Sequence, residues 1–200
     1  MGSEQWADGD PTKVIEDAFQ ESARLHERVL REGKGREVIL SAARAVEDAL
    51  RRGNKVLVFG NGGSAADSQH FAAELVGRFS RERPALPAIA LTTDTSALTA
   101  IGNDYGFDRV FARQLEALGR KGDVAIGIST SGESRNILSA FDAAGAAGLL
   151  RIALTGRDGG AIGRAADIHV NVPSPSTPRV QEVHRTILHV ICELVEAGLF

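Results

Sequence analysis

The chain has 200 residues, of which 43% are hydrophobic, which is enough for one good-sized domain with a buried core. Its formal net charge of −3, without a long basic run, does not suggest nucleic acid as the main partner. We see no secretory leader and no apolar run of roughly 18 residues, and the single cysteine, Cys192, cannot form an internal disulfide, so we expect a soluble, cytoplasmic protein.

The first predicted elements are two amphipathic helices. Residues 1–9 are polar, and we expect them to be loosely held. Asp10 and Pro11 form an N-cap and a first helical position, and the apolar spacing predicts one helix to about residue 32 and a second over about 36–52. Such a pair either covers the sheet or builds an oligomer interface; we favour a contribution of residues 10–53 to oligomerisation.

From residue 54 onward, apolar runs alternate with helical patterns. The runs are 55–59, 87–91, 123–128, 149–154 and 167–172. The helical patterns are 64–79, about 95–118 with a break near 102–106, 134–147, a short stretch after 159, and 178–198. Alternation of this kind predicts an α/β fold, a three-layer sandwich with a five-stranded parallel sheet over residues 54–200. The last helix, near the C-terminus, carries Cys192 among apolar neighbours, which predicts a buried thiol.

Two loops that follow predicted strands are rich in glycine and hydroxyl groups. Residues 60–64 (GNGGS) follow the first strand, and residues 129–134 (STSGES) follow the third. Ligands bind at the carboxyl ends of parallel strands. Backbone N–H groups, hydroxyls and the helix that begins at Ser134 would converge on a phosphate there, although a serine-rich turn that only caps a helix is the alternative. The spacing GxGxxG is missing, so we do not expect a nicotinamide cofactor.

Four side chains on two predicted helices could face one cavity. His70 and Glu74 are four residues apart, and Gln181 and His189 are eight apart, so each pair can share a helix face. A set of two histidines, a glutamate and a glutamine can ligate zinc, with glutamine an uncommon donor. Without a metal, Glu74 and His189 could act as general base and acid. The alternative is an ordinary helix pair and a packed histidine.

These stretches carry a family resemblance. The segments GNGGS, HFAAELVGRF, LPAIALTTD, IGNDYGF, GDVAIGISTSGES, ALTGRDGG and VQEVH occur in this order. The chain resembles the sugar isomerase (SIS) domain, and more closely the sedoheptulose 7-phosphate (phosphoheptose) isomerases, over about residues 36–199. The resemblance implies a flavodoxin-like single SIS domain over 1–200, a homotetramer with active sites at subunit interfaces, and one zinc ion per subunit. The implied reaction converts D-sedoheptulose 7-phosphate to D-glycero-D-manno-heptose 7-phosphate.

The resemblance also assigns roles to single residues. Glu74 would be the base and His189 the acid of a reaction through an enediol. Zinc would be held by His70, Glu74, Gln181 and His189. The substrate-binding residues would be Asn61, Gly62, Gly63, Ser64, Glu74, Asn103, Asp104 and Gln181, with the phosphate held by Ser129, Thr130, Ser131 and Ser134.

The sequence is also compatible with alternative functions. A replication-initiator-associating protein of the same fold is not an isomerase, but the positions that match Glu74 and His189 do not carry the acid–base pair there. The chain could also act on another phosphosugar, or sense one, although no helix-turn-helix segment is seen ahead of the sheet domain. Pro178 stands where some heptose isomerases have an aspartate that assists substrate binding, which leaves the substrate detail open.

Overall fold

The computed structural model describes residues 10–200, so the expectation for residues 1–9 lies outside the described residues. The helices are α1 (Pro11–Arg31), α2 (Gly35–Arg51), α3 (Gly63–Val76), α4 (Thr95–Tyr105), α5 (Ala112–Leu118), α6 (Arg135–Ala146), α7 (Gly160–Ala165) and α8 (Thr177–Leu199). A 3₁₀ turn covers Phe107–Arg109. The strands are β1 (Val56–Gly60), β2 (Ala88–Ala90), β3 (Val124–Ser129), β4 (Leu150–Gly156) and β5 (Ile168–Val172).

The five strands form one parallel sheet in the order β2-β1-β3-β4-β5. Leu57 of β1 lies opposite Ala125 of β3, which in turn lies opposite Arg151 of β4. The predicted α/β class and the five-stranded parallel sheet are therefore confirmed. In this order the chain reverses direction across the sheet between β1 and β3, and the crevice at such a reversal is where open α/β sheets bind ligands.

The two faces of the sheet bury separate cores. Strand residues such as Val56 and Val58 pack with α1, α2, α3 and α8. Their neighbours Leu57 and Phe59 pack with α5, α6 and α7, where the Phe59 ring centroid lies 5.4 Å from that of Phe111. Alternate residues of a strand point to opposite faces, so this division produces the three predicted layers.

The N-terminal helix pair covers the sheet and also leaves apolar surface exposed. Buried residues of α2 join the core on one face of the sheet together with α8. On the outer side of α1, Val14, Ile15 and Phe19 are 65%, 60% and 76% exposed. At the start of α1 the Asp10 side chain accepts a hydrogen bond from the Thr12 N–H at 2.9 Å, which is the predicted N-cap.

One predicted break is confirmed and one predicted helix end was wrong by a few residues. The predicted break at 102–106 falls at its far end, since α4 continues through Gly102 and stops before Gly106, whose φ is +84°. The helix predicted to reach residue 79 ends at Val76, because Gly77 occupies the C-cap with non-helical φ and ψ of −78° and −103°. The carboxylate of Glu196 on α8 then binds the backbone N–H groups of Phe79 and Ser80. No helix of residues 10–200 combines the length and hydropathy needed to span a bilayer.

Candidate active site

The loops after β1 and β3 meet at the point where the strand order reverses. The Asn61 side-chain N–H donates to Asn136 Oδ1 at 3.0 Å, and the Asn136 N–H donates back to Asn61 Oδ1 at 2.8 Å. Asn136 is buried in the first turn of α6, so this pair ties the glycine loop to the hydroxyl loop. Gly62 takes a positive φ of +55° at the turn into α3, which favours glycine. Asn136 was not predicted, and no spacing in the sequence indicates its partner.

Three hydroxyl groups converge in the loop after β3. The Oγ of Ser129 lies 3.0 Å from Ser134 Oγ and 3.3 Å from Ser131 Oγ, and the Gly132 N–H donates to Ser129 Oγ at 3.2 Å. Ser134 occupies the N-cap position of α6, but its side chain makes no capping hydrogen bond. The first N–H groups of α6 thus remain without a side-chain cap, next to the half-buried Thr130 and the hydroxyl cluster.

The loop after β3 packs tightly against the loop after β4. Gly132 has φ +71°, and a Cβ there would lie 2.5 Å from the carbonyl carbon of Gly159. The Ile162 N–H donates to the Gly132 carbonyl at 2.9 Å, and Ala161 N–H donates to the Glu133 carboxylate at 2.9 Å. The hydroxyl cluster is therefore held in a fixed position, as an anion cradle requires.

A second polar cluster lies between α3 and α8. The Nε2 atoms of His70 and His189 are 2.7 Å apart, and His70 Nε2 lies 3.3 Å from Glu74 Oε1. One ligand atom from each of the three residues lies within 4.8 Å of the others, and all three residues are partly buried. At most one proton fits between the two ring nitrogens, so lone pairs of imidazole and carboxylate face one point. Such a group could hold a metal ion or transfer a proton.

Gln181, the fourth predicted ligand, lies about two turns away along α8, against Gly63. A Cβ on Gly63 would lie 2.9 Å from the Gln181 Cδ, so the contact depends on glycine there. Eight residues of helix separate Gln181 from His189, which is a rise of about 12 Å. Within residues 10–200 no hydrogen bond joins Gln181 to the three clustered side chains.

An ion pair that was not predicted lies between the Gly63–Gln181 contact and the histidine cluster, along the interface of α3 and α8. Asp67 of α3 is buried, and its Oδ1 accepts from Arg185 Nε at 3.0 Å and from Nη2 at 2.6 Å. The two residues line a cavity of about 340 Å³ that also includes Gly63, Pro178 and Gln181. Arg185 is four residues from both Gln181 and His189, and that spacing could have indicated it.

The remaining predicted residues are placed differently. Asn103 and Asp104 are exposed on α4, where the Asn103 N–H donates to Asp104 Oδ1 at 2.8 Å. No hydrogen bond or ion pair joins them to the two loops or the histidine cluster within the described chain. Ser64 is buried in the first turn of α3, where its carbonyl accepts from Ser68 Oγ at 2.8 Å. The predicted site residues therefore lie in three separate places in one copy of the chain: the strand-end loops with the start of α3, the contact between α3 and α8, and α4.

Two buried groups near the site are held in their neutral forms. His184 is fully buried, its Nε2 lies 3.0 Å from the Thr155 carbonyl, and burial lowers the pKa of the ring to about 4. Burial, with the nearby carboxylates of Glu74 and Glu196, raises the pKa of the Cys192 thiol to about 12, which agrees with the predicted buried thiol. Neither group supplies charge at neutral pH.

Comparisons with known proteins give consistent matches in sequence and in fold. The SIS domain family model matches residues 19–156. A phosphoheptose isomerase from Geobacter metallireducens is 62% identical over 152 residues, which are 76% of this chain and 80% of the relative. The solved phosphoheptose isomerase from Neisseria gonorrhoeae has a TM-score of 0.88 and 46% identity, and the one from Francisella tularensis has 0.90 and 40%; each match covers 94% of this chain and 100% of the other.

Proposed function

The chain belongs to the phosphoheptose isomerases of the SIS domain family, and we propose that it converts D-sedoheptulose 7-phosphate to D-glycero-D-manno-heptose 7-phosphate in the cytoplasm. The observation that carries the proposal is the cluster of Glu74 and His189 with His70, between α3 and α8. A carboxylate and an imidazole in one place are what a reaction that moves protons between carbons and oxygens needs.

The phosphate of the substrate is assigned to the hydroxyl loop. Ser129, Ser131 and Ser134 offer hydroxyls, Thr130 lies among them, and the uncapped N-terminus of α6 adds backbone N–H groups and the positive end of its dipole. Asn61, Gly62 and Gly63, with Ser64 beside them, are assigned to the sugar. Binding the phosphate far from the reacting carbons would orient C1 and C2 against the catalytic pair.

In the proposed mechanism Glu74 removes a proton from C1 while His189 protonates the carbonyl oxygen on C2, which gives an enediol. His189 then takes the proton of the oxygen on C1, and Glu74 returns its proton to C2. The net change is a ketose that becomes an aldose, and both residues end in their starting protonation states.

The donor set fits a zinc ion, because two imidazole nitrogens and a carboxylate oxygen face one point. His70, Glu74 and His189 would hold the ion, with the Gln181 amide oxygen as the fourth donor. Zinc would polarise the substrate oxygens when bound. The protein's own part is then to orient Glu74 so that one oxygen remains free for the C1 proton.

We also propose a homotetramer with active sites at the subunit interfaces. The exposed apolar side chains of α1, Val14, Ile15 and Phe19, provide surface for such contacts. Asn103 and Asp104, which one copy leaves apart from the site, would then reach the sugar from a neighbouring subunit. Light scattering should report four chains per particle.

The test is a coupled isomerase assay on sedoheptulose 7-phosphate, with and without a chelator. Glu74→Gln should abolish turnover and leave the particle size and phosphosugar binding intact. Glu193→Gln, an exposed residue of the same helix that carries His189, is the matched control and should keep full activity. Full activity of Glu74→Gln would remove the proposed base. Turnover of a different phosphosugar alone would indicate an isomerase of another substrate. Binding of a protein partner without any turnover would indicate a non-catalytic SIS protein.

A further inference from the structure

A buried ion pair lies near the C-terminal ends of α3 and α8, beyond the cluster of His70, Glu74 and His189. The Arg83 Nε donates to Glu196 Oε1 at 2.9 Å, and both side chains are 1% exposed. A pair as deeply buried as this gains little net stability, since desolvation offsets its attraction. The two residues of the pair also contact the parts of the chain that carry Glu74, the proposed base, and that pack on His189, the proposed acid.

Arg83 binds the turn of α3 that carries Glu74. Its Nη2 donates to the Glu74 carbonyl at 2.8 Å, and its Nη1 donates to the Leu75 carbonyl at 2.9 Å and to the Pro84 carbonyl at 3.0 Å. Carbonyls in the last turn of a helix have no partner inside the helix, and a cation there also complements the helix dipole. The guanidinium therefore determines where the backbone of Glu74 lies.

Glu196 holds the segment that contacts His189. Its carboxylate accepts from the N–H groups of Phe79 at 2.8 Å, Ser80 at 3.0 Å and Arg81 at 3.1 Å, and from Ser80 Oγ at 3.0 Å. Burial would raise the pKa of this carboxyl, but these donors lower it to about 2, so it is charged at neutral pH. The Phe79 ring packs on the His189 imidazole, with 5.6 Å between the centroids.

We propose that Arg83 and Glu196 are positioning residues for the isomerisation. Arg83 fixes the position of Glu74 by binding the Glu74 carbonyl oxygen, and Glu196 fixes the position of the His189 ring by holding Phe79 against it. The proposal rests on the function proposed above. Because the pair bridges the end of α3 and α8, it determines the distance between base and acid from outside the substrate cavity. A residue that only supports folding would have no such connection to both.

The matched control is a second buried carboxylate with similar partners. Asp123 is buried just before the start of β3 and accepts from Lys55 N–H at 3.0 Å and from Arg120 N–H at 2.9 Å, as well as from the Lys55 ammonium. Glu196→Gln and Asp123→Asn each remove one such charge without changing side-chain size. Urea denaturation of both variants measures the structural cost of each.

Glu196→Gln should lower kcat by roughly 10- to 100-fold with KM changed by less than about 2-fold, as expected when only the placement of catalytic groups changes. Asp123→Asn should leave kcat within about 2-fold of the parent. In a Phe79→Leu background the Glu196→Gln change should cost much less, because both act through the same contact. Equal kcat in the two carboxylate variants, or full additivity with Phe79→Leu, would overturn the proposal.

A second measurement does not depend on turnover. The five histidines of the chain allow their ring resonances to be followed by NMR. Glu196→Gln should shift the His189 ring resonances, and Asp123→Asn should not. If the parent protein fails to isomerise sedoheptulose 7-phosphate, the proposed substrate is wrong while the ring shift still tests the positioning. An unchanged His189 spectrum in Glu196→Gln would contradict the positioning role even in an active enzyme.

Discussion

Gly132→Ala is the substitution that most directly tests the hydroxyl loop as the phosphate cradle. The new Cβ would lie 2.5 Å from the carbonyl carbon of Gly159, whereas carbon atoms in contact are about 3.5 Å apart, so the two loops must separate by about 1 Å. A positive φ of +71° adds a backbone cost of about 1–2 kcal/mol for alanine. Displacement of a binding loop by about 1 Å can cost roughly 100-fold in rate.

Gly33→Ala separates the two effects. Gly33 has a similar φ of +65°, but a Cβ there would meet nothing within 4 Å, and it lies in the connection between α1 and α2. Gly33→Ala should lose about 1–2 kcal/mol in the free energy of unfolding, measured with urea, and Gly132→Ala should lose that amount plus the cost of the clash with Gly159. Only Gly132→Ala should lower kcat/KM for the phosphosugar, by about 100-fold, mainly through a higher KM. An unchanged kcat/KM in Gly132→Ala, or an equal loss in Gly33→Ala, would refute the cradle assignment.

Three further outcomes follow from buried groups. Arg185→Met leaves the buried Asp67 carboxylate without its cation and should lower the free energy of unfolding by about 2 kcal/mol, as measured by urea denaturation at pH 7, with partial recovery when Asp67→Asn is added. His184 has a folded pKa of about 4, below the usual 6.5, so the unfolded chain takes up the proton first as the pH falls; the protein should lose about 2 kcal/mol between pH 7 and pH 5, and His184→Asn should reduce that slope. Native Cys192 should not react with a thiol reagent at pH 8 and should react fully once unfolded, because its pKa is about 12; rapid labelling of the native protein would contradict its burial.

Most of the fold was predictable because its signals are local. In the predicted strand 123–128 the residues after Asp123 form a continuous apolar run, which indicates a strand covered on both faces, and β3 is buried throughout. Glycines and N-caps mark most element ends in the same way. The end of α3 also has a local signal, because Gly77 directly follows Val76 and occupies the C-cap. What the sequence near α3 does not signal is the contact that follows, in which Glu196, more than a hundred residues later, binds the N–H groups of Phe79 and Ser80.

The residues of the candidate site likewise divide into those with a local signal in the sequence and those that depend on long-range contacts. His70 and Glu74 are four residues apart on one helix, so their spacing alone predicted that their side chains lie together. The Asn61–Asn136 pair depends on the meeting of two loops 75 residues apart, and a single asparagine in a helical pattern carries no sign of its partner. Ser134 occupies the N-cap position that its residue type predicts, but its hydroxyl binds Ser129 and makes no capping hydrogen bond.

The contacts between α3 and α8 explain why residues so far apart in the chain share one site. Gly63 meets Gln181, Asp67 meets Arg185, and His70 meets His189; the segment after α3 then meets Glu196. The contacts advance along both helices by nearly equal steps, so the helices run parallel, and sliding one by a single turn of 5.4 Å would break all of these pairs together. The interface therefore has one stable register, and the distance between the Glu74 carboxylate and the His189 imidazole is a property of that register rather than of either helix.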